Sequence, residues 1–458
     1  MKVGVINSSA FGAVAFRIDP SLHLSEGVKV RTKLDKSPYA LTSVADCSSK
    51  IFLGNIFSRI FVKKKEFGVT YLAASDTVLA NIETGRYLSK KQASQLDYLK
   101  LDKDWILVTC SGTLGNVTYT NGTFCDKIAT HDLIRIIPDD SKFKKGCLYA
   151  FLAGKYGYYQ ITQSQFGGVV KHINDKQAGA ISVPQFPEDF QNKVDNLIQE
   201  SAKLREEAAL CINNAIEEVN NFCGVNLETI PPTHQRTINL SEINSSFNCR
   251  FDPSVYINKG VDWMKYISKE TKRIEELNIV TWYPGIFKRS YVKNGYPYIK
   301  GSSLFETNPF NRCDSLSKSR TPNIDELWLK EGMLLISCAG ACGLVKIITK
   351  EYEEKSAIGS PDIIRLFSKD ELVNNEYLFA YLQLPALYQY MQSMKYGSVI
   401  ERFDKYNVEK IPVVIPTKEL SDKVKSLVRE YMDKTYKAFN AEEDAISMVE
   451  QEIEKWNN

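Results

Sequence analysis

The chain has 458 residues, with 58 Lys and Arg against 55 Asp and Glu and a formal net charge of +3. That length allows two to four domains, and 43% hydrophobic with 25% charged residues is the composition of a soluble globular protein. No apolar run reaches the length of a membrane span, and the start, MKVGVINSSAFGAVAF, has no long apolar core before a cleavage site. The ten Cys are scattered without a CxxC pair and the four His are isolated, so a cytoplasmic protein with reduced thiols and no structural zinc is expected. The small net charge neither demands nor excludes a polyanionic partner, because a near-neutral protein can carry one basic face.

In chain order the dominant feature is a duplication. Arg17-Ile18-Asp19-Pro20-Ser21 is echoed by Arg250-Phe251-Asp252-Pro253-Ser254, which reads as a capped turn or as an Arg facing a partner. Phe57-Ser58-Arg59-Ile60-Phe61-Val62-Lys63 lies over Phe287-Lys288-Arg289-Ser290-Tyr291-Val292-Lys293, and both alternate apolar with basic as a half-buried strand does. Gly68-Val69-Thr70-Tyr71-Leu72 matches Gly295-Tyr296-Pro297-Tyr298-Ile299. The run WILVTCSGTLGNVTYTNGTFCDKIATHDLIRI from Trp105 then returns as MLLISCAGACGLVKIITKEYEEKSAIGSPDIIRL from Met333. Asp132 and Arg135 fall on Asp362 and Arg365, a shift of 362 − 132 = 230, about half the chain. A repeat of this period sets the whole fold.

Within that run, Ile106-Leu107-Val108 and Leu334-Leu335-Ile336 read as buried strands, and the Gly-x-x-Gly after each permits a tight turn. A phosphate-cradling loop is the alternative, but the Lys-Ser/Thr of a P-loop and the GxGxxG of a dinucleotide fold are both missing. A short helix (Tyr149 to Leu152, Phe379 to Leu382), an aromatic-Gly loop (Gln165 to Val170, Lys395 to Ile400) and a strand ending in Pro (Ile181 to Pro184, Ile411 to Pro416) follow in each copy.

Each copy ends in a long helix, about Glu188 to Phe222 and Lys418 to Trp456. Phe190, Val194, Leu197, Ser201, Leu204, Ala208, Cys211 and Ala215 recur at steps of four and three. Leu420, Val424, Leu427, Tyr431, Lys434, Ala438, Ala441 and Ala445 do the same, offset by 230. This is a coiled-coil seam, on rods of roughly 50 Å; the alternative is that each helix lies along its own domain. Gly224 to Ser241, with Pro231-Pro232-Thr233-His234, reads as a linker. The expected fold is α+β: a first domain over 1–187, its helix over 188–223, a linker over 224–241, a second domain over 242–416 and its helix over 417–458. Two equivalent halves in one chain pack about a pseudo-two-fold axis, so the helices are expected to be antiparallel with the domains at opposite ends.

No catalytic constellation is present in either copy. Thr307-Asn308-Pro309-Phe310 lacks the second Pro of an amino-methyltransferase motif, Pro361-Asp362 has no Glu-x-Lys of a nuclease core after it, and no nucleophile elbow is seen. A duplicated domain without chemistry in either copy is expected to bind rather than catalyse.

Gly295-Tyr296-Pro297-Tyr298-Ile299-Lys300-Gly301-Ser302 and Met333 to Val345 resemble two segments of the specificity subunit of type I restriction-modification systems: a Gly-x-Pro-aromatic-Ile-basic segment, and Gly-Asp-Ile-Leu-Ile-Ser-x-x-Gly-x-x-Gly. Gly332-Met333 replaces Gly-Asp in the second copy; in the first, Val69-Thr70 stands where Pro is expected and Asp104-Trp105 replaces Gly-Asp. The resemblance covers nearly the whole chain through motif order, duplication and trailing helices. It implies two target recognition domains reading a bipartite, asymmetric site on double-stranded DNA. It further implies a pair of methyltransferase (modification) subunits docked on the helices, a motor-nuclease (restriction) subunit in the full complex, no catalysis by this chain and no cofactor.

Phosphate contacts come from Lys and Arg, and base-edge contacts from Arg, Lys, Asn, Gln, Ser and Thr. The candidates on the basic segments are Arg59, Lys63, Lys64 and Lys65 in the first copy and Lys288, Arg289, Lys293 and Lys300 in the second. Lys171 and His172, with their counterparts Glu401 and Arg402, join them beside the aromatic-Gly loop. For each, the alternative is a solvated surface charge. Two other readings of the chain are a specificity chain of a multi-subunit type II system and a coiled-coil adaptor that holds two proteins and no DNA.

Overall fold

The computed structural model describes residues 23–163, 165, 171–245, 249–399 and 401–457. The echo at Arg17 to Ser21, the loop at Phe166 to Val170 and Ile400 lie outside the described residues. The chain divides into two compact units, Met1–Glu206 with Lys437–Asn458, and Glu207–Tyr436. Each unit therefore holds one head and part of both long helices.

In the first unit the strands are β1 (Leu41–Ser43), β2 (Ser48–Phe52), β3 (Phe61–Val62), β4 (Gly68–Leu72), β5 (Tyr87–Ser89), β6 (Ile106–Thr109), β7 (Val117–Tyr119), β8 (Ile128–Ala129), β9 (Leu133–Pro138) and β10 (Ser182–Pro184). They form three sheets in the orders β1-β10, β2-β9-β6-β7 and β3-β5-β4-β8. In the second unit they are β11 (Thr271–Arg273), β12 (Ile279–Trp282), β13 (Tyr291–Val292), β14 (Tyr296–Ile299), β15 (Ser315–Leu316), β16 (Leu334–Ser337), β17 (Val345–Ile347), β18 (Ile358–Gly359), β19 (Ile363–Ser368) and β20 (Pro412–Val414). Their sheets repeat the same three orders, β11-β20, β12-β19-β16-β17 and β13-β15-β14-β18. Register repeats as well: Ile106 faces Tyr119 and Leu334 faces Ile347, and both members of the pair are shifted by 228 (334 − 106 and 347 − 119).

The uninterrupted apolar runs of β6 and β16 follow from burial on both faces. Ile106 and Val108 point into one core with Phe151 and Leu148, while Leu107 points into another with Leu72 and Leu133. Leu334 and Ile336 likewise join Phe379 and Leu382, and Leu335 joins Ile299 and Leu304.

The alternating segments at Phe57 and Phe287 form less strand than their pattern suggests: only Phe61–Val62 and Tyr291–Val292 pair in a sheet. In the first head the backbone just before β3 is claimed by a side chain. Ile60 N donates to Gln92 Oε1 at 2.8 Å, and Gln92 Nε2 donates back to Ser58 O. Alternation here marks an exposed strap rather than a half-buried strand.

Gly68 and Gly295 open β4 and β14 where a neighbouring strand passes close. A Cβ on Gly295 would run into the Leu316 carbonyl oxygen, and one on Gly68 would meet Tyr87 Cβ at 2.6 Å and Leu88 O at 2.8 Å. Backbone cannot step aside cheaply, so Gly295→Ala is expected to destabilise the second head by about 1–3 kcal/mol, read as a lower urea midpoint in equilibrium unfolding; an unchanged midpoint would mean β15 moves freely.

The long helices are continuous, α1 over Glu188–Cys223 with 36 residues and α2 over Lys418–Glu454 with 37. They run antiparallel in both units. In the first, Ser201 Oγ donates to Ala438 O at 2.7 Å, and Val194, Ile198 and Ala202 share a core with Ala445, Val449 and Ile453. In the second, Lys434 pairs with Glu207 at 2.6 Å and Lys423 with Glu218 at 2.8 Å, so rising numbers on one helix meet falling numbers on the other. α1 also lies on its own head, since the Asp195 carboxylate accepts from Gly146 N at 2.6 Å. Both packings anticipated from the seam are therefore present at once.

The stretch after α1 packs against the second head: Ile230 is buried, Trp263 Nε1 donates to Val225 O at 2.8 Å, and Thr233 Oγ1 bonds Asp262 at 2.7 Å. Arg250 pairs with Asp252 and donates to Met394 O at 2.8 Å, so this arginine is bound within its own head, while Asp252 makes no side-chain cap on the turn it precedes.

Candidate nucleic-acid interface

The Gly-x-x-Gly turns after β6 and β16 are built alike. Thr109 Oγ1 donates to Thr113 O at 2.6 Å and accepts from Asn116 N at 3.0 Å; Ser337 Oγ donates to Ala341 O at 2.5 Å and accepts from Leu344 N at 3.0 Å. Gly112 and Gly340 take φ +69° and +72°, and nothing lies within 4 Å of where a Cβ would stand, so the turn needs glycine for its backbone and leaves open space above it. A hydroxyl at the strand end thus holds a turn whose shape does not depend on a ligand.

Each turn is tied to the segment that carries the late basic candidates. Ser111 bridges His172, and Ile173 N donates to Cys110 O at 3.1 Å; Ala339 bridges Arg402, and Phe403 N donates to Cys338 O at 2.9 Å. Burial pushes the Cys338 thiol up to about 11 and raises that of Cys110, so neither is a thiolate nucleophile at neutral pH.

Beside the turn stands a second repeated group. Arg59 Nε donates to Tyr71 Oη at 2.5 Å and its Nη2 donates to Thr130 Oγ1 at 3.3 Å. Arg289 Nε donates to Tyr298 Oη at 2.7 Å, and its Nη2 lies 3.5 Å from Asp362 Oδ2. Both guanidinium groups also lie over the same tyrosine rings, at 5.4 and 5.6 Å. The tyrosine rings are buried while both arginines are exposed. Asp132 accepts from Ser111 Oγ at 3.0 Å, which links this group to the glycine turn in the first head.

Beneath it a buried arginine fixes the loop that presents Thr130 and Asp132, or Ser360 and Asp362. Arg135 is fully buried and donates to Leu133 O, Ala129 O and Thr130 O, each at 3.0 Å. Arg365 is fully buried and donates to Ile363 O at 2.7 Å, Gly359 O at 2.9 Å and Ser360 O at 3.3 Å. No carboxylate meets either guanidinium among the described residues, and burial pulls both down to about 10.

The sequence candidates thus fall into two sets. Arg59 and His172, and Arg289 and Arg402, adjoin the turn and its neighbours in their own heads. Lys63, Lys64, Lys65, Lys288, Lys293 and Lys300 are exposed on or beside the straps and the β3-β5-β4-β8 and β13-β15-β14-β18 sheets. Three of them carry acidic neighbours: Lys64 with Glu66 at 3.5 Å, Lys65 with Glu83 at 3.5 Å, and Lys300 with Asp314 at 2.5 Å. Lys171 is exposed next to His172. A search by charge misses Tyr71, Tyr298, Thr130, Ser360, Asp132 and Asp362. The signal that finds them is likeness between the copies at positions that are neither glycine nor aliphatic core. The straps also display Ile56 and Ile286, 84% and 79% exposed, at equivalent places.

Among the described residues no group of His, Cys, Asp and Glu could hold a metal ion, and no helix is long and apolar enough to cross a membrane.

Comparison with known proteins gives one family. Residues 270–442 match the type I restriction modification DNA specificity domain. No curated protein sequence matches. Among solved structures, the S subunit of a type I restriction-modification system from M. genitalium is 12% identical, with 92% of this chain and 96% of that chain covered and a TM-score of 0.36. The HsdS subunit from Thermoanaerobacter tengcongensis is also 12% identical, with 91% and 96% covered and a TM-score of 0.27. The matched residues run from just before β11 into α2, and the first head repeats their sheet orders strand for strand. What the comparison shows is thus a likeness of the second head, over residues 270–442, to the type I restriction modification DNA specificity domain.

Proposed function

We propose that this chain is the non-catalytic, sequence-reading subunit of a DNA methyltransferase complex. Each head reads one half of a bipartite site on double-stranded DNA, and the paired helices carry the methyltransferase subunits. The observation that carries this reading is a duplicated fold with a constant group inside a variable surround. Arg59 with Tyr71 and Arg289 with Tyr298 are alike, while Lys63-Lys64-Lys65-Glu66-Phe67 stands where the second head has only Lys293-Asn294, and Lys171-His172 faces Glu401-Arg402. Two heads with different rims suit two different half-sites, and their joining helices suit a fixed spacer, by the logic of half-site spacing in dimeric DNA readers. The exposed Ile56 and Ile286 fit apolar contacts to a base step or a thymine methyl.

The test is an exchange of residues 1–187 for the corresponding head of another family member, co-expressed with the methyltransferase subunit and read by mapping methylated bases in the host genome. The expected result is a change in one half of the methylated motif with the other half kept. A motif unchanged, or altered in both halves, would sink the proposal. A chain that gives no DNA footprint with its methyltransferase present would favour the protein-adaptor reading.

A further inference from the structure

We infer that Arg59 and Arg289 are the paired phosphate contacts of the two heads, and that sequence discrimination lies elsewhere on the rims. This rests on the DNA-reading role proposed above and assigns chemistry within it. In a duplicated reader of two different half-sites, a DNA-contacting group kept identical in both heads addresses what both half-sites share. The sugar-phosphate backbone is the part of a duplex that is the same whatever the sequence. Arg59 and Arg289 occupy equivalent places, 289 − 59 = 230, and make the same bond through Nε to equivalent tyrosines.

The geometry fits an oxyanion. The Nε bond to a buried tyrosine hydroxyl anchors one edge of the guanidinium, whose central carbon lies 5.4 or 5.6 Å from the ring centroid. Nη1 makes no hydrogen bond among the described residues in either head, and Nη2 makes only long ones, at 3.3 Å to Thr130 and 3.5 Å to Asp362. A pre-oriented planar fork with free donors is the arrangement that recognises phosphate. Arg135 and Arg365 provide the contrast, since their Nη donors are bound to their own backbone. Asp362, 39% exposed, makes only long contacts, 3.5 Å to Arg289 and 3.4 Å from Ser360 Oγ, and has to turn aside for a phosphate to bind in the second head.

The experiment uses the full chain assembled with its methyltransferase subunit and a duplex carrying its methylated motif. Arg59→Ala and Arg289→Ala are each expected to weaken binding roughly tenfold at low salt. Each should flatten the log-log salt slope by about 0.9, so that the deficit narrows about threefold between 50 and 200 mM salt. The methylated motif should stay the same in both variants, and Arg289→Lys should restore the slope. Replacing single phosphates by neutral methylphosphonates should reveal one position per half-site that weakens wild-type binding and leaves the alanine variant indifferent. A variant that relaxes or alters one base of the motif overturns the phosphate assignment, as does an unchanged salt slope. A wild-type complex that neither binds nor methylates DNA overturns the underlying reading instead.

Discussion

Replacing Arg365 with methionine is expected to destabilise the second head by about 3 kcal/mol and to abolish its part in binding. The guanidinium supplies donors to Gly359 O at the end of β18, Ser360 O in the loop after it and Ile363 O at the start of β19. Leaving a buried carbonyl unpaired costs about 1–3 kcal/mol. The sum is reduced because the substitution also ends the burial of a charge, the burial that pulls Arg365 down to about 10. For a unit of this size 3 kcal/mol corresponds to a fall of roughly 6–12 °C in melting temperature. The same loop carries Ser360 and Asp362 and pairs, through β18, with Tyr298 and Ile299 of β14. Losing the anchor therefore frees the partners of Arg289 together with the strand beneath them. Lysine at 365 keeps the charge but not the fork, so it should recover only part of the stability. Differential scanning calorimetry of the full chain is the measurement, and a melting profile unchanged in Arg365→Met would show that the loop holds itself.

Much of this arrangement is legible in the residues themselves, and the reason is duplication. Ile106 to Val108 and Leu334 to Ile336 read as buried strands because both faces of that strand are covered, which forces apolar residues at every position. The four-three seam reads as paired helices because small residues such as Ala215 and Ala445, both fully buried, recur where the helices touch. The straps mislead, since an alternating pattern records which side chains point outward and not whether a neighbouring strand is there. Gln92 holding Ser58 and Ile60 is a contact across more than thirty residues that no local pattern encodes. Reading the candidate site by charge finds Arg59, Arg289, His172 and Arg402 but also lysines tied to Glu66, Glu83 and Asp314. Charge alone does not distinguish a cation anchored by a buried tyrosine, as Arg59 and Arg289 are even with Asp362 3.5 Å from the latter, from one held only by a surface carboxylate. Likeness between the copies picks out Arg135 and Arg365 as well, yet both donate to backbone carbonyls of their own heads.

The second large effect is expected in the helix pair of the first unit. Glu442 is 4% exposed, bonded to Arg205 at 2.5 Å and to the buried hydroxyl of Tyr149. Arg205→Leu leaves that carboxylate buried with only the phenol, and is expected to cost about 3–5 kcal/mol. The double variant Arg205→Leu with Glu442→Leu should recover most of that loss, because exchanging a buried pair for apolar side chains of similar volume is often neutral or better. Adding Tyr149→Phe removes the orphaned hydroxyl and should bring stability closer still to wild type. Urea unfolding of wild type, Arg205→Leu, Glu442→Leu and the double and triple variants reads all of these terms. If the losses of Arg205→Leu and Glu442→Leu simply add in the double variant, Arg205 and Glu442 do not act as a pair.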